Sequence, residues 1–218
     1  MKNTIRFFST LTFLFFIAGI DCSLQSQTLI IDNFNKEPVN FGKKYPSYVN
    51  TQEGYDIYYV DGNVQVSRVP IDSNNTKDKI LRVNFTIPPQ EWLSIKREFH
   101  SPINLSDYKG LIFNLLVDSP SPSTVLRVTI SDLTNNKKQG DEMWWGDCDK
   151  KLLVDETAGW IQVKVPFNKF KISWGAGTRQ NDYKLNLRKI ISYEINLLSE
   201  SANKQKGEIY LDYIRAYK

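Results

Sequence analysis

From Leu29 to the end of the chain, apolar residues recur at every second position in segment after segment, and no stretch repeats them at helical spacing. Leu81, Val83, Phe85 and Ile87 alternate with Arg82, Asn84 and Thr86, while Leu93, Ile95 and Phe99 alternate with Trp92, Ser94, Lys96 and Glu98. The pattern returns at Leu126, Val128 and Ile130, at Ile161, Val163 and Val165, and at Ile191, Tyr193, Ile195 and Leu197. Period two sends successive side chains to opposite faces of a strand, so each segment offers one face to a core and one to water. Turn-forming residues divide the segments at Asp61-Gly62-Asn63, Pro88-Pro89, Lys109-Gly110 and Pro120 to Pro122. Many short strands separated by polar turns predict an all-β domain, a jelly-roll β-sandwich. An aromatic share of 13% suits that architecture, because aromatic side chains fill a pleated, half-buried surface well.

The N-terminus is a segment of another kind. Lys2 and Arg6 precede a mostly apolar run from Phe7 to Ile20. A basic start and a short apolar run have the form of a secretory signal, and a membrane span needs about 20 apolar residues. The expected division is a signal peptide over residues 1–26 and one β-sandwich domain over 27–218. The protein is then secreted, periplasmic or at the cell surface, with no transmembrane segment in its mature part. Cys22 raises lipid attachment as an alternative, against which stands Asp21 in the place where a small residue is usual. Removal of the signal leaves Cys148 as the one thiol, so no disulfide framework forms within the domain.

Several function classes find no support. The net charge of +4 comes from scattered basic residues, whereas nucleic-acid binding needs a clustered basic face. His100 is the sole histidine, and the chain has no Gly-X-Ser-X-Gly, no phosphate-cradling glycine loop and no His-Glu-X-X-His. Asp141, Glu142, Asp147 and Asp149 surround Trp144-Trp145, but without the Glu-X-Asp-X-X-Glu spacing that lines up a nucleophile and an acid in jelly-roll glucanases.

A sugar-binding face accounts for these residues better. Pyranose rings stack their C–H faces on flat aromatic rings, and their hydroxyls need charged or amide groups around the rim. Alternation projected back from Leu152 puts Cys148, Gly146 and Trp144 toward the core and Trp145, Asp147 and Asp149 outward. Trp92 and Lys96 belong to the outward set of their strand, and Glu194 and Asn196 to that of theirs. The candidate ligand-binding residues are therefore Trp92, Lys96, Asp141, Trp145, Asp147, Glu194 and Asn196, with Trp174 a further aromatic. The bland alternative is that these tryptophans cover core edges. The leading reading is non-catalytic binding of a polysaccharide or oligosaccharide, with a partner glycan-degrading enzyme supplying avidity. A polysaccharide-degrading hydrolase or lyase on the same fold is one alternative, and a protein-interaction or assembly domain is another.

The first and last strands, Ile30-Ile31-Asp32-Asn33-Phe34 and Glu208 to Ile214, each carry an aspartate and are expected to meet. Asp32 and Asp212 have two readings from the residues alone. They cap strands or meet a basic neighbour such as Lys36 or Arg215, or they bind calcium, a hard cation that takes six to eight oxygens.

Four blocks carry a resemblance. They are Leu29 to Asn35, Leu105 to Phe113, the Gly159-Trp160-X-X-Val163-X-Val165-Pro166-Phe167-X-X-Phe170 stretch, and Gly207 to Tyr217. Together they resemble the galactose-binding-like jelly rolls, in particular family 11 carbohydrate-binding modules and the complex I intermediate-associated family, over about residues 28 to 218. The resemblance implies a calcium-stabilised jelly roll with a concave sheet that binds β-glucan or similar chains. It implies Asp32 and Asp212 as calcium ligands, with Asn35 where an acidic residue is common. Trp92 matches an aromatic of the cleft, Asp141 the acidic turn before the Trp-bearing strand, and Ser192 a polar position of the penultimate strand. Ile191 and Leu197 stand where the family's cleft-forming Asp and Tyr are expected.

Overall fold

The computed structural model describes residues 28–35, 48–50, 56–59, 63–72, 75–133, 141–147, 159–173 and 183–218. The expected signal segment 1–26 with Cys22, and also Lys36, Cys148, Asp149 and Trp174, lie outside the described residues. Among the described residues thirteen strands follow one another: β1 (Leu29–Asp32), β2 (Tyr48–Asn50), β3 (Asp56–Tyr59), β4 (Asn63–Asp72), β5 (Asn75–Ile87), β6 (Trp92–Ile103), β7 (Gly110–Ser119), β8 (Thr124–Leu133), β9 (Asp141–Asp147), β10 (Ile161–Pro166), β11 (Lys171–Ile172), β12 (Ile190–Ser199) and β13 (Gln205–Tyr217).

They form two sheets. One runs β10-β7-β13-β5-β4, with β1 added beside β13, and the other runs β11-β9-β8-β12-β6-β3-β2. From β5 to β8 the chain changes sheet at every step, which is why few neighbours in sequence pair as hairpins. This antiparallel crossing pattern is the expected jelly-roll β-sandwich. The first and last strands meet as expected: Leu29 lies opposite Ala216 and Asp32 opposite Ile214.

The inner faces are the alternating apolar sets. Leu81, Val83, Phe85 and Ile87 of the first sheet pack with Leu93, Ile95, Leu126, Val128, Ile130, Ile195 and Leu197 of the second. Each fully buried side chain of this size contributes about 1.5–3 kcal/mol, which is why one-residue slips are excluded. Trp144, 7% exposed, belongs to this core, and Gly146 follows it on the same face. A Cβ on Gly146 would lie 2.7 Å from Val165 Cγ1 and 3.2 Å from the Phe170 ring, so only glycine lets β9 seat against β10 and the turn after it. That turn is a short 3₁₀ stretch, Phe167–Lys169, in which Phe167 and Phe170 pack with ring centroids 5.8 Å apart.

Simple alternation is broken at several places, β12 and β6 among them. A register shift between Ile190 and Ser192 gives the core place to Ile190, 1% exposed, and leaves Ile191 half-buried. The bulge inserts one residue and moves the inward position by one. On β6, Arg97 stands at the inward position between Ile95 and Phe99, with its side chain 17% exposed.

Candidate functional site

The outward face of the second sheet is where the alternating polar residues gather. Cross-strand register aligns them in rows: Trp145, Thr129, Glu194 and Lys96 in one, and Asp147, Arg127, Asn196 and Ser94 in the next. Two positions further along β12, Leu198 lies opposite Trp92. Over these rows opens a cleft of about 520 Å³ whose lining includes Trp92, Arg127, Thr129, Trp145, Glu194 and Asn196. Met143, Ser173 and Leu198 complete it, Ser173 N–H donating to the Met143 carbonyl at 2.8 Å.

The floor is polar and set in place by its own bonds. Glu194 is 5% exposed, and the Ser94 hydroxyl donates to its Oε2 at 3.1 Å. Burial pushes the Glu194 carboxyl above the usual carboxylate range, while the Lys96 charge and the Ser94 bond pull the other way. Asn196 Nδ2 donates to Thr129 Oγ1 at 2.8 Å, which orients the amide along the floor. Trp145 is fixed twice: its Nε1–H donates to the Ile172 carbonyl at 3.2 Å, and the Arg127 guanidinium lies 3.8 Å from its ring centroid. Trp92 is 39% exposed at the other end of the cleft. Trp92 and Trp145 are three strand spacings and four residue rises apart, a diagonal on the order of 20 Å.

Four expected residues, Trp92, Trp145, Glu194 and Asn196, therefore come together in one cleft. Lys96 shares their face opposite Glu194 but stands beyond the lining, its Nζ 2.9 Å from Glu98 Oε1. Asp141 and Asp147 occupy β9 opposite Leu133 and Arg127, and their side chains lie outside the described residues. Sequence reasoning missed Arg127, Thr129 and Met143. Their outward alternation was legible, but nothing local indicated that β8 lies between β9 and β12.

Asp32 and Asp212 are both buried, at 4% and 6% exposed. Asp32 Oδ1 accepts the Phe34 N–H at 2.9 Å, and its Oδ2 accepts the Tyr193 hydroxyl at 2.6 Å and pairs with the Arg97 guanidinium. Burial raises the Asp212 carboxyl, against donation from Asn114 and the Tyr213 N–H and the charge of Arg215. Calcium needs six to eight oxygens converging on one point, and both Asp32 oxygens already face donors, one of them a cation. Among the described residues no three of His, Cys, Asp and Glu are grouped to hold a metal. Asp32, so engaged, does not fit the ligand role that the resemblance implied for it.

No protein-family model matches the sequence, and no curated protein matches it. Solved structures do. A family 11 carbohydrate-binding module from Clostridium thermocellum, in complex with a β-1,3-1,4-mixed-linked tetrasaccharide, superposes with a TM-score of 0.57 at 15% identity, covering 87% of this chain and 95% of that one. The family 11 module of the cellulosomal cellulase Lic26A-Cel5E of the same organism gives 0.56 at 16% identity, over 88% and 95%. The family 30 module of the cellulosomal cellulase Cel9D-Cel44B, also of Clostridium thermocellum, gives 0.52 at 12% identity, over 88% and 98%. The chain has the jelly-roll β-sandwich fold of the family 11 and family 30 carbohydrate-binding modules.

Proposed function

We propose that this chain binds a polysaccharide or oligosaccharide, without cleaving it, in the cleft between Trp92 and Trp145. The observation that carries the reading is an aromatic at each end, Trp92 exposed and Trp145 half-buried, with a polar floor between them. Sugar C–H faces stack on the indole rings, and the hydroxyls meet Glu194, Asn196, Thr129 and Arg127. A 20 Å diagonal suits an extended chain of several rings better than a single sugar. The neighbour with a bound mixed-linked tetrasaccharide supports a β-glucan as the first ligand to test. The basic and apolar N-terminal segment supports export, and because stacking plus a few hydrogen bonds gives a modest single-site affinity, a partner glycan-degrading enzyme would add avidity.

Affinity electrophoresis through soluble polysaccharides, with a glycan array, tests the reading. Retention by at least one polysaccharide, lost in Trp92→Ala and Trp145→Ala, is expected. Retention by none overturns the proposal, and reducing-sugar release from the same panel replaces it with a hydrolase.

A further inference from the structure

Arg97 breaks the apolar alternation of β6, and what it meets explains why. A guanidinium at an inward position needs a buried anion, because an uncompensated charge inside a sandwich is costly. Asp32 supplies it from the opposite sheet, and Tyr193, directly across β12 from Arg97, donates its hydroxyl to the same carboxylate oxygen at 2.6 Å. The remaining oxygen holds the Phe34 N–H at 2.9 Å, at a residue whose φ of 55° is strained for a side chain of that size. Phe34 itself is fully buried, so the same carboxylate joins β1, the turn after it, β6 and β12.

We infer that the opening strand is tied across the sandwich by Arg97, Asp32 and Tyr193, a protein-borne cation holding the place that a structural calcium ion would otherwise fill. A guanidinium in that place is covalently attached, needs no supply of metal and is not lost to chelators. The domain is then closed, and its cleft formed, without a divalent cation.

Thermal unfolding of the purified protein tests this in EGTA and in millimolar calcium chloride, alongside calorimetric titration with calcium chloride. The wild type is expected to melt within about 1 °C in the two buffers and to give no stoichiometric heat. Arg97→Met is expected to lower Tm by about 6 °C or more in both, since breaking one partner of a buried pair strands the other. Should that variant not fold, Tyr193→Phe, with a smaller loss, and Arg97→Lys, intermediate between it and the wild type, carry the same comparison. A rise of several degrees with calcium in the wild type, or an Arg97→Met protein as stable as wild type, overturns the inference.

Discussion

Gly146→Ala puts two opposing effects on one atom, and the structure decides between them. Glycine in a strand interior costs about 0.5–1 kcal/mol relative to alanine, so propensity alone predicts that the substitution stabilises the protein. The new Cβ, however, would lie 2.7 Å from Val165 Cγ1 and 3.2–3.3 Å from two atoms of the Phe170 ring. Val165 is 1% exposed and stiff at χ1, so it does not swing aside. Overpacking of this kind costs about 1–3 kcal/mol. The net expectation is a loss of about 1–2 kcal/mol, or about 2–8 °C in Tm for a domain of this size. Because Trp145 precedes Gly146 on β9, the displaced strand also shifts one end of the cleft, and ligand retention should fall with Tm. Differential scanning calorimetry on wild type, Gly146→Ala, Val165→Ala and the double variant completes the cycle. Val165→Ala alone should destabilise through its cavity, but in the double variant it makes room for the new methyl, so the two losses should fall short of additive. A Gly146→Ala protein that melts at or above wild type, or losses that add within about 0.5 kcal/mol, refutes the close-contact argument.

Other expectations bear on the cleft and on pH. Trp92→Ala and Trp145→Ala should each weaken polysaccharide binding about tenfold, about 1.4 kcal/mol, measured by isothermal titration, with the fold retained by circular dichroism. Arg127→Met should also weaken binding, because it removes both a hydroxyl donor and the cation seated on Trp145, a contact of about 0.5–2 kcal/mol. On the outer face of the first sheet, Arg82 donates to both Glu208 oxygens at 2.9 Å, and with Tyr210 and Asn84 it holds that carboxyl down at about 2. A depressed carboxyl contributes stability that is present above its unfolded value near 4.3 and is lost as pH falls through about 2. Glu208→Gln should therefore lower stability at neutral pH by no more than about 1 kcal/mol, since the Arg82 side chain is 43% exposed and the pair is screened. Melts from pH 7 to 2 should show the two proteins converging at the acid end, and a constant gap would sink this account. Glu194 runs the opposite way, because burial raises it: its ionisation withdraws stability as pH rises, so Glu194→Gln should gain on wild type with pH while losing ligand affinity.

How much of this was legible in the chain depends on the element. Alternation alone assigned Trp144 inward and Trp145 outward, and it set Trp92, Glu194 and Asn196 on exposed faces, since a strand's period leaves only two choices. It also marked the closing strands, whose pairing through Leu29 and Ala216 the structure bears out. Alternation was silent wherever two distant segments had to be matched. Arg127 was an ordinary outward arginine until β8 was found between β9 and β12, and Ile190 displaced Ile191 only through a bulge that depends on the strands either side.

Asp32 shows the division most sharply. The residues alone left it as a strand cap, the partner of a basic neighbour such as Lys36 or Arg215, or a calcium ligand, and its burial in the structure makes a counter-charge or a metal necessary. Local residue order settles which face a side chain takes, because that follows from backbone geometry within a strand. It carries no record of which strands become neighbours, because that is decided by burial summed over the whole core. The counter-charge to Asp32, Arg97 in the opposite sheet, therefore became visible only once the sandwich had closed.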